Sequence, residues 1–432
     1  MGNIKEVSNQ LKEYIATKEG VKAQYTVTET ETREITMENG AFSLFRTLYD
    51  NKVRVKLIHN QRIGDTSTNC FDQQALEKVV DDAILAAESS MEDEFYDIAP
   101  GMEPAEFHKG VEEPDIDKLM MRAKELSEDI AREYPNIMLM QLMFKYVKEH
   151  SFYQNTNGSQ DEMTSGYYLI ALEYSGNDGK QSSGLAGGYV VVDNLEKPFI
   201  EVGAIRKNLA DAEASIYPQP VEGKFEGSVI LTPEGVQEMF SFALGVLADD
   251  EVLLSQESKW LGKIGEKVAS DKLTLGLCPN DPRIIGTEVR TDDGFRAEDY
   301  SIIEKGVLKS YMASLYVSNK CKVERAKNSG LDMVITSGDV PVEDMIKSMD
   351  KGLIIGAISC GYPSANCEVS GVAKNSFYVE NGQVKHAVAE TMVSFNLHDM
   401  FQNIEEISKE VVLDGALVLP YIKVGKVTVS GK

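Results

Sequence analysis
Ser228-Val-Ile-Leu-Thr-Pro-Glu-Gly-Val-Gln-Glu-Met-Phe-Ser-Phe-Ala-Leu-Gly-Val-Leu-Ala-Asp-Asp250 passes from a short apolar strand, Ser228 to Leu231, into a helix whose start is written in three consecutive residues. Thr232 is an N-cap residue, Pro233 suits the first helical position where no N–H is needed, and Glu234 favours the positive end of the helix dipole. Val236, Met239, Phe240, Ala243, Leu244 and Leu247 then recur at spacings of three and four, one wide apolar face that belongs in a core. Asp249-Asp250-Glu251 returns the chain to solvent, and the strand–helix unit opens a second domain.

That domain needs a boundary before it, and Tyr217-Pro-Gln-Pro-Val-Glu-Gly223 is the best linker in the chain. The expected division is therefore an N-terminal domain over residues 1–216, with possible subdomains at about 1–98 and 115–216, and a C-terminal domain over 224–432. At 432 residues and 42% hydrophobic, the chain can bury a large core. Its formal charge of −25 opposes association with a phosphate backbone or an anionic membrane, so direct nucleic-acid and membrane partners are excluded as expectations.

The start, Met1-Gly-Asn-Ile-Lys, lacks the apolar region of a secretory signal, and no stretch approaches the ~18 apolar residues of a membrane span. Gly2 begins a Met-Gly-x-x-x pattern, but Glu6 stands where a myristoylation motif has Ser or Thr. Cys70, Cys278, Cys321, Cys360 and Cys367 are widely spaced without a Cys-x-x-Cys pair, so they read as reduced thiols in a cytoplasmic protein.

Along the first half, Val7 to Ala16 has helical periodicity and Tyr25 to Thr30 alternates as a strand. Ala41 to Tyr49, a turn at Asp50-Asn51 and Lys52 to His59 predict an antiparallel hairpin with one wet face. Gln73 to Ser89, opened by Asp72, is a strong amphipathic helix that should cover this sheet. The acidic, proline-bearing segment Glu92 to Asp115 reads as a connecting loop, and Ile116 to Arg132 as a second covering helix. Ile137 to Tyr146, Gly166 to Tyr174 and Leu185 to Val192 form a meander, followed by helix from about Val202 to Ala214.

In the second half, Leu253 to Lys267 looks helical, and Leu273 to Leu277 and Ser301 to Met312 look like strands. Val342 to Met349 is a helix, Leu353 to Ser359 a buried strand and Tyr421 to Val429 the final strand. Ser376 to Val384 is a strand, an Asn-Gly turn and a returning strand. Helices and antiparallel strands are interspersed without regular alternation. The predicted class is α+β, with N-terminal antiparallel sheets under covering helices and a mixed C-terminal domain around a β-rich, barrel-like core.

Four blocks carry a family resemblance. They are Ser228 to Asp250, Asp299-Tyr-Ser-Ile-Ile-Glu-Lys-Gly-Val-Leu-Lys-Ser-Tyr311, Phe377-Tyr-Val-Glu-Asn-Gly382 and Asn396-Leu-His-Asp-Met-Phe-Gln-Asn-Ile404. Together and in order they resemble the TldD/PmbA family of peptidases, whose members are also described as modulators of DNA gyrase. The last block looks more like the metal-free TldE (PmbA) branch than the TldD branch.

The resemblance implies where a zinc site would stand. The metal-bearing branch has His-Glu-x-x-x-His on the central helix, and the two histidine positions fall here on Ser241 and Val246, the glutamate position on Phe242. A further cysteine ligand of that branch falls on Ala373. A zinc hydrolase needs imidazoles to hold the ion and a carboxylate to take a proton from its water, which these four residues cannot supply. Histidines five apart also lie roughly 140° apart around a straight helix, so a metal-bearing helix must distort where this one need not.

The function implied is a non-catalytic, peptide-holding subunit of a TldD/TldE-type metallopeptidase that degrades or matures unfolded peptides. Its expected partner is a TldD-type subunit carrying zinc, with no cofactor, metal or catalytic residue in this chain and hydrolysis absent without the partner. The alternative is a stand-alone homodimer that binds peptides without hydrolysis.

Rival chemistry is weaker in the residues. His59, His108, His150, His386 and His398 are scattered, with no pair at a helix-face spacing. Thr291-Asp-Asp-Gly-Phe-Arg-Ala-Glu-Asp299 lacks the alternating order of a calcium loop and reads as a solvated acidic turn. Gly184-Leu-Ala-Gly-Gly188 has neither the spacing nor the helix of a phosphate cradle and reads as a turn or bulge. Cys360 and Cys367, beside a Gly-Tyr-Pro-Ser-Ala-Asn loop, are the remaining nucleophile candidates, but nothing local pairs them with a histidine.

Overall fold
Asn39-Gly40 and Asn60-Gln61 turn the chain at φ of 49°, 77°, 52° and 58°, the left-handed pair that a two-residue hairpin turn demands. They fold β1 (Val21–Glu38), β2 (Ala41–His59) and β3 (Arg62–Thr68) into antiparallel neighbours. In the computed structural model, which describes residues 3–285 and 289–432, β1 and β2 pair along their whole length. Met1 and Gly2, on which the lipidation reading rests, lie outside the described residues.

Asp50-Asn51 is not a turn, which corrects the sequence reading. The two residues pair with Thr30 and Glu29 in the middle of β2. A continuous ladder offered by β1 overrides their local turn preference, because strand propensity is set by context.

α1 (Ile4–Ala16) and α2 (Gln73–Ser89), the latter capped by Asp72, pack on one end of this sheet through Leu11, Leu76, Val80 and Ala83 against Val27, Val53, Val55 and Leu57. β4 (Ala105–Gly110) then pairs in parallel with β6, so the segment expected to be only a loop contributes an edge strand. α3 (Ile116–Glu133) leads to β5 (Ile137–Asn155) and β6 (Gln160–Gly176), strands far longer than their apolar stretches suggested. β7 (Ala186–Val192) pairs with β6, and Gly187-Gly188 lies within that strand, not in a turn. α3 and α4 (Ile205–Ala214) cover the other end of the same face, through a cluster that includes Leu126, Phe144, Ile170 and Leu209. The sheet order is β3-β2-β1-β5-β6-β4, with β7 also on β6.

The second half begins with β8 (Lys224–Leu231), α5 (Pro233–Leu247) and α6 (Asp250–Leu254). The helix expected over Leu253 to Lys267 ends at Leu254, because Gln256, Gly262 and Gly265 adopt positive φ. Then come β9 (Leu275–Leu277), β10 (Tyr300–Glu304), β11 (Val307–Leu308), α7 (Leu315–Cys321), β12 (Met333–Ile335), α8 (Val342–Lys347), β13 (Lys351–Ile355) and β14 (Ala357–Ser359). β15 (Glu368–Lys374), β16 (Phe377–Glu380), β17 (Gln383–Ala387), β18 (Met392–Asn396), α9 (Leu397–Gln402), β19 (Ile404–Leu413) and β20 (Val418–Ser430) complete the chain.

β20 and β13 flank β8, antiparallel and parallel respectively, at the centre of a 13-stranded mixed sheet. α5 lies on it, with Val236, Met239, Phe240, Ala243, Leu244 and Leu247 all fully buried. The ring of Phe240 meets Phe401 of α9 at 5.0 Å, and Trp260 closes on Phe401 at 5.3 Å. The architecture is α+β, 23% helix and 41% strand, with an antiparallel half-barrel before a mixed sheet. Among the described residues no helix is long and apolar enough to cross a membrane.

Candidate functional site
Thr232 caps α5 by accepting from the Gly235 N–H, and the helix runs as a regular α-helix through Leu247. The four motif positions follow from that regularity. Val246 is 3% exposed and Ala373 1%, both inside the C-terminal core cluster, while Ser241 and Phe242 are half-buried on the outer side of the helix. Ala373 sits in β15 opposite Ile358 of β14, and the Ile358 N–H donates to Glu238 of α5 at 3.0 Å. Ala373 is thus brought near the middle of α5 through Glu238, while Val246 faces the core and Ser241 and Phe242 the outer side of the helix.

An aromatic pair fills that place. Phe242 meets Tyr362, from the loop after β14, edge-on at 5.3 Å and 79°. The Tyr362 hydroxyl reaches Gly245, where any Cβ would lie 2.0 Å from it. Phe242 is half-buried and Tyr362 is 67% exposed, so the pair lies at the surface and presents aromatic rings instead of metal ligands.

The remaining candidates are held in unsuitable states. Burial pushes the Cys360 thiol up, helped by Glu238, and burial likewise pushes up Cys367, so neither is poised as a thiolate. His150 pairs with Glu162 at 2.9 Å, His398 with Asp399 at 3.0 Å, and His386 lies beside Tyr378. Among the described residues no three His, Cys, Asp or Glu side chains converge as a metal site.

A larger concavity lies on the face of the N-terminal sheet that no helix covers. Thr26, Thr28, Thr30 and Thr32 of β1 alternate on it, beside Arg54 of β2 and Ser151 and Tyr153 of β5. A cavity of about 320 Å³ forms there, roofed by Val289 to Asp292 of the C-terminal half. The roof is anchored by charge. Arg290 pairs with Asp161 and stacks on Tyr153 at 3.8 Å, and Arg296 reaches the same carboxylate at 2.8 Å. Burial lowers Arg290 to about 10, with the neighbouring Arg296 charge adding to the shift. Gln24 donates to the Asp292 carbonyl at 2.6 Å, and Gly294, at φ 89°, lets the chain pass against Tyr153. The segment Thr291 to Asp299 is a turn whose acidic residues Asp292, Glu298 and Asp299 are exposed, as its acidity suggested, but it is also docked on the sheet, with Thr291 4% exposed.

None of this cluster was legible in the sequence, because Asp161 and Arg290 are far apart in the chain and neither lies in a motif. The threonine alternation in β1 was the one available signal.

The three family-like blocks after α5 have structural meanings. Lys305-Gly306 and Asn381-Gly382 are left-handed pairs turning β10 into β11 and β16 into β17. Asn396 caps α9 by accepting from His398 and Asp399. Residues 223–431 match the PmbA/TldA metallopeptidase C-terminal domain. The C-terminal half is a PmbA/TldD-family domain.

The whole chain is 22% identical to a protein named Metalloprotease from Methanothermobacter thermautotrophicus, over 69% of this chain and 71% of that one. It is 21% identical to the Metalloprotease PmbA homolog of Haemophilus influenzae, over 96% and 94%. Its fold matches TldE from Thermococcus kodakarensis with a TM-score of 0.80 at 18% identity, covering 98% of this chain and 99% of that one. The matched domain is a metallopeptidase domain by description, and both relatives carry metalloprotease names.

Proposed function
We propose that this chain is a TldE-type, non-catalytic subunit that holds unfolded peptide for a zinc-bearing TldD-type partner. The observation that carries the reading is the Phe242–Tyr362 pair, because the family resemblance puts Phe242 at the position where the metal-bearing branch has its glutamate. Two features support peptide holding and partnership. The helix-free face of the N-terminal sheet offers hydroxyls and both signs of charge to an extended chain. The outer edge of β2 from Ala41 to Asn51 lies beyond the reach of β3 and carries Phe45, Leu48 and Tyr49, which are 53%, 45% and 67% exposed. An open edge with large apolar side chains marks a contact surface.

The test is elemental analysis of the purified chain beside casein hydrolysis, with and without chelator and with and without a TldD-type relative. The reading expects no stoichiometric zinc, no cleavage alone and chelator-sensitive cleavage on mixing. Zinc-dependent cleavage by the chain alone would overturn it, and an inert chain that dimerises with itself and ignores the relative would favour the homodimeric binder.

A further inference from the structure
Glu234 in the first turn of α5 borders a second cavity, where β6, β7 and α4 of the N-terminal half meet the C-terminal half. This cavity, of about 220 Å³, has an apolar floor made by Leu172, Val190, Ile205, Leu417 and Leu419. An adjoining space of about 80 Å³ shares Tyr174, Gly187, Asn208 and Glu234 with it. The rim is acidic. Glu234 and Asp414 line the larger space and Asp211 the smaller, against one ammonium, Lys207, which is paired with Asp211.

Tyr174 supplies a second, uncharged polar group that faces the space. It is 3% exposed, lines both spaces, and its hydroxyl has no hydrogen-bond partner among the described residues. The ring is buried, but the hydroxyl is not one of the fully buried unpaired atoms: it stays open to the cavity, where a ligand can reach it. Burial, with the charges of Glu234 and Asp211, pushes it upward, so it stays a neutral phenol. Glu234 accepts from Asn208 at 3.1 Å on one oxygen and from Thr232 at 2.8 Å on the other, so it is held in place with lone pairs to spare. Gly188, on the wall, would place a Cβ within 4 Å of nothing.

We propose that this junction binds a cationic group on an aliphatic stem, an ammonium or guanidinium such as ends a lysine or arginine side chain. The stem lies on the apolar floor, and the cation donates to Glu234, Asp414 and the Tyr174 oxygen. An anion at the start of α5 is disfavoured, since three carboxylates face the space and Thr232 already caps the helix. The site goes beyond the peptide-holding reading and does not depend on it, because a free amine tests it on the isolated chain.

The experiment titrates the purified full chain with agmatine and n-pentylamine by calorimetry, with 1-pentanol as the neutral isostere. Saturable binding at one site is expected, with the alcohol weaker by at least about tenfold. Glu234→Gln should weaken amine binding by about fivefold or more. Tyr174→Phe should weaken it while leaving the urea midpoint unchanged, an outcome that a purely structural hydroxyl does not give. Gly188→Leu should block the cavity, and Glu257→Gln, an exposed charge elsewhere, should do nothing. Equal binding of alcohol and amine, or equal effects of the Glu234 and Glu257 changes, would overturn the site and leave only diffuse attraction to an acidic protein. Should the Glu234 variant fail to fold, the Tyr174 and Gly188 variants decide the question alone.

Discussion

The ring of Phe242 meets that of Tyr362 edge-on, and the Tyr362 hydroxyl rests on Gly245 one helical turn along. An aromatic pair of this geometry contributes about 0.5–1.5 kcal/mol beyond its buried area. Gly245→Ala adds a Cβ that displaces Tyr362, while gaining about 0.8–1.0 kcal/mol of helix propensity. The two effects should nearly cancel in the wild-type background. In a Tyr362→Ala background the helix gain should appear alone, and a urea-denaturation cycle over the four proteins measures the difference.

Val246→His tests whether the metal motif can be restored on this helix. Val246 is 3% exposed in the core, so an imidazole there loses its water without gaining a partner. A cost of about 2–3 kcal/mol is expected, against less than about 1 kcal/mol for Ser241→His at a half-buried position. Chemical denaturation separates the two.

Asp161→Ala should be among the most damaging substitutions in the N-terminal half. It removes the carboxylate that both Arg290 and Arg296 approach, and leaves Arg290 buried beside Tyr153 without its counter-ion. Removing one partner of a buried pair costs about 3–5 kcal/mol. Limited proteolysis should show the docked Thr291 turn released from the sheet before global unfolding.

Glu149→Gln should stabilise the protein at neutral pH. Burial raises the Glu149 carboxyl, only partly opposed by Lys52. The folded state therefore keeps this proton to higher pH than the unfolded chain, and stability falls as pH rises through the ordinary glutamate range toward the raised value. Wild type and variant should coincide below about pH 4 and diverge above it in favour of the glutamine. Thermal melts across pH measure the divergence, and a variant less stable at pH 7 would contradict it.

Replacing Leu48 and Tyr49 by lysine probes the open edge of β2. Both are exposed, so folding stability should change by less than about 0.5 kcal/mol. Association with a second copy or a TldD-type chain should weaken by about tenfold or more if this edge is the contact. Sedimentation velocity reads both.

Local chemistry explains why much of the fold was legible. Asp72, Thr232 and Asn396 are caps whose side chains reach the N–H groups two or three residues on, and Asn39-Gly40 and Asn381-Gly382 are turns that few other pairs adopt. The apolar face of α5 was readable because its period is a property of the helix alone. Where a partner strand decides, the local signal misled: Asp50-Asn51 is straightened by β1, and the end of α6 is imposed by left-handed residues whose strain is offset by packing around Trp260.

The sequence by itself determined the α+β class and the core face of α5. Those depend on residue identity and on spacings of a few residues. Only the tertiary structure decided that Phe242 would find Tyr362, that Arg290 would roof the N-terminal sheet on Asp161, and that Tyr174 would face Glu234 across the junction of the two halves. Such pairs join residues scores of positions apart, and their geometry is set by how the two sheets stack, which no local period encodes.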